Sequence, residues 1–586
     1  VPPSPDPKVA ARPAGPKLTD LLAPYSRLVF AIAGCTIAAN GLSLLLPKIM
    51  SRAIDTFVGG QLDVGALVIE FTAVAGGILL FTYLTSVVQV ITSERVARDL
   101  RTRLVEKLST QDLPYIQRIT TATLLTNLTS DVDAVKLFVS QAVSALISSA
   151  VLIVGASALL ISINWKLGLA VIAVLPVIAI TFQIVLAKVR ALFKQAQQAV
   201  DRLNKVISES ILGAALVRLV NSQQNEYGKF ITANGESRAI GLKIIRLFSA
   251  LIPIIMFATN LATLMILTMG GRFVIQGSMS LGDFTAFNSY LAILIFPVIV
   301  IGFMSNVMAQ AGASYARLGA VLGAPLPPSR GDAVAPLHGD ITLDQVELAF
   351  GDKRVLKGVS FTAKAGTRTA VIGPTAAGKT QLLYLLTGLL VPTAGSVEYG
   401  GRPITDYDKA SLHQRIAFVF QDATMFNLSL RENIAFSTTV KDQDLEKAIA
   451  TAELKEFIER LPQKLDTVVS ERGTSLSGGQ KQRLMLARAL ALNPGVLLLD
   501  DFTARVDAAT ERAILDNVRR NYPGVTLLSV TQKIAPVEDY DQIIMLMEGD
   551  VLAIGTHQHL LDTCPEYVQL YDSQRSTHHY ESVRAE

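Results

Sequence analysis

The octapeptide Gly373-Pro374-Thr375-Ala376-Ala377-Gly378-Lys379-Thr380 has the spacing G-x-x-x-x-G-K-[ST]. It follows the apolar run TAVI and precedes the helical run QLLYLLTGLL, so a strand–loop–helix context is predicted. Glycines let the backbone amides curl around phosphates, and the start of the next helix favours anionic charge. Lys379 is expected to meet the β- and γ-phosphates, and Thr380 to ligate Mg²⁺. Downstream, the apolar strand VLLLD ends in Asp500, where a carboxylate can hold Mg²⁺ through water. Between these lies Leu476-Ser477-Gly478-Gly479-Gln480. A serine and two glycines at a helix start offer hydroxyl and backbone donors to a phosphate.

These residues need an α/β scaffold, and the sequence supplies one after residue 339. There, β-type runs such as 369–373, 496–500 and 526–530 alternate with helical stretches. What comes before is different. Residues 138–165, 167–187, 247–271 and 284–316 contain no Asp, Glu, Lys or Arg; 29–50 carry only Lys48, and 65–93 only Glu70. A bilayer span takes about 20 apolar residues. Six spans are predicted, centred near 40, 80, 150, 177, 259 and 300. Core helices of a soluble protein would not crowd into the first 320 residues and stop. Over the 586 residues 17% are charged, against about 25% in ordinary soluble domains. That excludes a disordered chain. The net charge of +4 gives no case for a nucleic-acid partner. Cys35 and Cys564 form neither a disulfide framework nor a metal cluster.

Residues 94–137 and 188–246 are rich in Lys and Arg, and the other links between spans are short and poor in charge. Cytoplasmic loops carry this basic excess. The two long links and both termini are therefore expected in the cytoplasm of a cell (plasma or inner) membrane protein. Helical periodicity in the long links (Leu203, Val206, Ile207, Ser210, Ile211) extends the spanning helices beyond the bilayer. The expected organisation is a flexible tail over 1–20, a six-helix membrane domain over 21–322, a Pro/Gly-rich linker over 323–338 and a nucleotide-binding domain over 339–586.

With the phosphate loop, LSGGQ, VLLLD and six spans together, the chain resembles an ABC transporter of the exporter type. It is similar to a half-transporter, with one transmembrane domain ahead of one P-loop ATPase domain. The resemblance implies ATP with Mg²⁺, export of a hydrophobic or amphipathic substrate (drug, peptide or lipid), and a second half-transporter as partner. It implies that LSGGQ serves the phosphate loop of that second subunit. Phe350 matches the aromatic that stacks on adenine, and Gln421 the glutamine that reaches Mg²⁺. Glu471 matches the segment touching the cytoplasmic loops. Residues about 112–119 and about 213–222 match two coupling helices.

Two departures bear on chemistry. The family usually has Glu after the Mg²⁺-binding aspartate to polarise the attacking water; here stands Asp501. General-base catalysis is worth about 10²–10⁴ in rate, and a 1 Å misplacement costs about 10². The family's γ-phosphate His is replaced by Gln532, and no His lies between 414 and 556. Gln hydrogen-bonds a phosphate but cannot become cationic. Ala376 and Ala377 replace more flexible or hydroxylated residues, and Ala504-Arg505-Val506-Asp507 replaces Ser-Ala-Leu-Asp. This pattern resembles the degenerate-site subunit of heterodimeric exporters. A slow homodimeric exporter, an exporter-fold importer and a nucleotide-gated regulatory subunit stay open as alternatives.

Overall fold

The computed structural model describes residues 18–585, apart from 328–330, 335–338, 438–439, 471–472, 474 and 503–504, and apart from the side chains of 19 and 576–585. Most of the expected tail, part of the linker, Glu471 and Ala504 lie outside the described residues. The chain divides into two compact units. One comprises Val1–Gln111 and Ile119–Pro325, the other Asp112–Arg118 and Leu326–Glu586.

The first unit has six helices long and apolar enough to cross a membrane: α1 (Asp20–Val58), α2 (Val64–Ser109), α4 (Thr121–Ile163), α5 (Trp165–Leu212), α7 (Gln223–Ile275) and α8 (Leu281–Leu322). Two short helices stand in the long links, α3 (Leu113–Ile119) and α6 (Ala214–Leu219). The chain is already helical from Leu18, within the last residues of the expected tail over 1–20. At about 1.5 Å per residue, helices of 39 to 53 residues far outrun a hydrocarbon layer about 30 Å thick. Their outer faces are apolar yet uncovered by protein: Leu79 is 73% exposed and Phe257 65%. Backbone groups in such helices are satisfied internally, so these faces can meet lipid.

Inside the bundle, Leu44, Leu160, Leu167, Ile266, Phe287 and Leu294 form a core joining α1, α4, α5, α7 and α8. Close to the helix-interior Pro47, buried Tyr290 donates its hydroxyl to the Leu44 carbonyl at 2.9 Å. Glu70 lies near the α1–α2 turn and pairs with Arg52 at 3.2 Å. A wide π-turn at Asn127–Asp131 in α4 carries buried Asp131. Its carboxylate accepts from Ser314 Oγ at 2.9 Å and from Arg317 Nε at 3.0 Å, both on α8.

The second unit has two sheets. An antiparallel one orders β2 (Lys353–Ala363), β1 (Ile341–Phe350), β4 (Ala394–Tyr399) and β5 (Arg402–Pro403). The six-stranded one orders β10 (Asp550–Gly555), β9 (Gln542–Met547), β3 (Arg368–Ile372), β8 (Thr526–Thr531), β7 (Val496–Asp500) and β6 (Ile416–Val419). It is parallel except for the β9–β10 pair. Both faces are buried, which is why VLLLD reads as a continuous apolar run. Leu497 and Leu499 enter one core, Val496 and Leu498 the other. Part of the linker is tied down within this unit, with Gly331 N donating to Thr405 O at 2.8 Å and Ala333 N to Asp406 O at 3.1 Å.

Removing the Arg317 guanidinium leaves the Asp131 carboxylate buried with fewer donors, a loss of roughly 1–3 kcal/mol. Arg317→Ala is expected to lower the thermal midpoint of the detergent-solubilised chain. Adding Asp131→Asn should recover part of the loss, since an amide needs no cation; an unchanged midpoint in Arg317→Ala contradicts the claim.

Candidate functional site

Parallel register builds the site. Ile372 at the end of β3 pairs with Thr531 at the end of β8, and Asp500 at the end of β7 pairs with Val530. The three carboxyl ends therefore share one edge. Gly373–Gly378 leaves β3 there, Asp501 leaves β7 and Gln532 leaves β8. In an open α/β sheet such an edge is where ligands bind.

The loop runs into α9 (Lys379–Leu386), whose N-cap, Gly378, has φ +97° and provides no side-chain cap. A β-carbon there would lie 2.8 Å from Leu356 Cδ2 and 3.0 Å from the Val355 carbonyl. Glycine is thus required both by the backbone angle and by the close approach of β2. Ala376 also sits at positive φ, +67°, while Ala377 is buried. The left-handed region costs an L-residue roughly 1–2 kcal/mol. This loop therefore holds its shape against local strain at Ala376. Lys379 Nζ donates to the carbonyls of Gly373 and Pro374, each at 2.8 Å, and so braces the loop from within.

A cavity of about 260 Å³ collects Lys379, Thr380, Gln421, Asp500, Asp501 and Gln532, together with Thr375, Ala376 and Gly378 of the loop. Thr380 Oγ1 donates to Asp500 Oδ1 at 3.2 Å. Burial pushes the Asp500 carboxyl up, with Asp501 and Asp422 adding to it and Thr380 and Lys379 opposing. Burial also raises Asp501, against Lys533 and Lys379. Lys379 is lowered by burial, countered by Asp501 and Asp500. Carboxylates held out of water beside one partly desolvated ammonium suit a divalent cation. The donors facing the cavity (Thr380 hydroxyl, Asp500 carboxylate, Gln421 amide oxygen) are hard oxygens of the kind Mg²⁺ takes. The residues fit Mg²⁺ and a nucleotide phosphate.

Asp501 has φ +45°, and its amide donates to Val530 O at 2.8 Å. The β7–β8 ladder thus continues one residue further and holds Asp501 in a strained conformation. Gln532 is fixed by a residue that sequence reading missed. In α12 (Pro565–Ala585), Gln574 Nε2 donates to Gln532 O at 2.7 Å and its Oε1 accepts from Ile534 N at 3.0 Å. No local motif marks Gln574, because the contact spans 42 residues. Lys533 was also passed over. It lies 3.9 Å from buried Glu511 on α11 (Ala508–Asn521) and acts electrostatically on Asp501. Its place directly after Gln532 was the available signal.

Phe350, the LSGGQ residues, and Gly373, Pro374 and Ala377 of the loop do not line this cavity. Phe350 is 46% exposed at the end of β1, paired with Lys353 at the start of β2, the strand that packs on Gly378. Ser477 caps α10 (Gly478–Leu490): its Oγ accepts from Gln480 N at 3.3 Å, while Ser477 N donates to Gln480 Oε1 at 2.8 Å. Gly478 and Gly479 are also outside the cavity. The Arg505 side chain lies against Gly478, its Cδ 2.8 Å from where a β-carbon would sit. Ser477 and Gln480 thus form a preformed cap at the start of α10, and none of the LSGGQ residues lines this cavity.

Residues 29–298 match the ABC transporter transmembrane region family, and 356–504 the ABC transporter family. The chain is 30% identical to the probable multidrug resistance ABC transporter ATP-binding/permease protein YheI of Bacillus subtilis, over 92% of this chain and 94% of that protein. It is 27% identical to the ATP-dependent lipid A-core flippase of Syntrophus aciditrophicus, over 95% and 94% respectively. A solved bacterial Atm1-family ABC exporter with ATP bound shares the fold, with a TM-score of 0.74 and 24% identity, over 94% of this chain and all of that one.

Lys379→Ala is expected to weaken ATP binding by roughly 10–100-fold, the loss of one charge-assisted contact. Gly378→Ala should weaken it at least as much and also lower the thermal midpoint, because its methyl group meets Leu356 and the Val355 carbonyl at a positive φ. Titration of the purified chain with a fluorescent ATP analogue measures both; retained affinity in either variant contradicts the assignment.

Proposed function

Since this chain belongs to the ABC transporters, carrying one transmembrane region and one ATP-binding domain, we propose that it is the degenerate-site half of a heterodimeric exporter. The observation that carries this reading is the pair Asp501 and Gln532, which line the cavity with Lys379, Thr380 and Asp500. Every group needed to bind is present. The two positions that would activate water and contact the γ-phosphate hold a shorter acid and a group that cannot become cationic. Lys379 holds the phosphates, Thr380, Gln421 and Asp500 hold Mg²⁺, and Phe350 flanks the base. Mg²⁺, when bound, neutralises charge on the phosphate oxygens. Asp501 positions water poorly, so ATP turns over slowly here. Ser477, Gly478 and Gly479 complete the partner subunit's site, where most hydrolysis occurs.

In this reading ATP closes two such domains and shifts the membrane helices between two states. The basic links 94–137 and 188–246, with α3 and α6, lie on the cytoplasmic side alongside both termini and the ATPase domain. The names of the relatives, multidrug resistance protein and lipid A-core flippase, support a hydrophobic or amphipathic substrate.

The chain purified alone in nanodiscs is expected to bind ATP yet turn over well below about 1 s⁻¹. Asp501→Glu with Gln532→His should raise turnover at least about tenfold. Wild-type turnover at ordinary enzyme rates would overturn the degenerate-site reading in favour of a competent homodimer.

A further inference from the structure

The membrane unit contains a cavity of about 690 Å³ between α4, α5 and α8. That is within the size range of drug-sized ligand sites. Its α5 wall is one helical stripe: Pro176, Ala179, Gln183, Leu186, Ala187 and Arg190 recur at spacings of three and four. From Pro176 to Arg190 the stripe rises about 21 Å, at about 1.5 Å per residue. Its chemistry changes along that length, from apolar, through the Gln183 amide, to the Arg190 guanidinium. The facing walls add Ile153, Val298 and Ile301, with hydroxyls from Ser157 and Ser305. No carboxylate lines the cavity. Among the described residues Arg190 has no ion-pair partner, and its charged neighbours on α5, Lys188 and Lys194, carry the same sign.

The depth of the cavity depends on a close approach. Phe182 is buried against Gly302, where a β-carbon would overlap its ring. The ring also meets Phe303 edge-on at 5.3 Å between centroids. Glycine at 302 lets the ring lie back into the wall.

A largely apolar cavity with an exposed guanidinium on its lining, unpaired among the described residues, selects for shape and sign together. Arginine matches carboxylate and phosphate oxygens through its fork of donors. We propose that this cavity binds a single-chain amphiphilic anion, its phosphate or carboxylate head on Arg190 and its tail along α4 and α8. This rests on the transporter reading for its biological use, but the site itself does not.

The test uses the full chain in nanodiscs of zwitterionic phospholipid and two fluorescent dodecyl probes, one with a phosphate head and one with a trimethylammonium head. The phosphate probe is expected to bind roughly tenfold tighter or better. Arg190→Gln should erase the preference, Arg190→Lys should keep most of it, and Lys194→Gln, outside the lining, should leave it unchanged. Gly302→Ala should weaken both probes alike, because it alters shape and not charge. Equal binding of the two heads, or a preference surviving in Arg190→Gln, overturns the site. Competition by anionic phospholipid added to the disc assigns the cavity to bilayer lipid and overturns the single-chain occupant. An Arg190-dependent preference unmoved by ATP and Mg²⁺ leaves the site standing and overturns the transport reading.

Discussion

The parallel pairing of β3, β8 and β7 is the constraint on which the nucleotide unit depends. Because the strands run the same way in fixed register, their carboxyl ends coincide, and Lys379, Asp500, Asp501 and Gln532 meet although more than 150 residues separate the first from the last. Burying the sheet on both faces holds that edge rigid. The same burial removes water from the carboxylates and the ammonium, so each is displaced from its ordinary pKa. Binding power and strain come from one source. The ladder that aligns the edge also carries Asp501 into positive φ through its bond to Val530.

The membrane unit answers to a different solvent. Its helices satisfy their own backbone, so their outer faces can be apolar without a protein partner. Two of its carboxylates are met by partners: Glu70 by Arg52 near a turn, and Asp131 by Ser314 and Arg317 beside a π-turn. Arg190 is the contrast. It faces a cavity, and no carboxylate among the described residues meets it.

Much of this was legible in the sequence, where spacing alone carries the information. Six charge-poor runs gave six long helices, and the strands at 369, 496 and 526 lie within a residue of their observed limits. Thr375, Ala376, Gly378, Lys379 and Thr380 of the phosphate loop come together with Gln421, Asp500, Asp501 and Gln532 in one cavity. Other features were not legible, because they join distant segments. The grip of Gln574 on Gln532, the Lys533–Glu511 pair and the packing of Arg505 on Gly478 have no periodic or local signature. The helix at Leu18–Leu22 begins just after the Pro-rich stretch, inside the last residues of the expected tail over 1–20.

The sequence by itself determined the membrane-plus-ATPase architecture and the positions of the phosphate-loop, LSGGQ and VLLLD motifs, since periodicity and motif spacing are local properties of the chain. It also placed Asp501 and Gln532 at the two positions where the ABC family usually has Glu and His. Only the tertiary structure decided that Asp501 is strained, that LSGGQ lies outside the cavity of its own phosphate loop, and that Arg190 lines a largely apolar cavity. Each of these depends on which distant surfaces pack together, and burial, register and cavity shape exist only once they do.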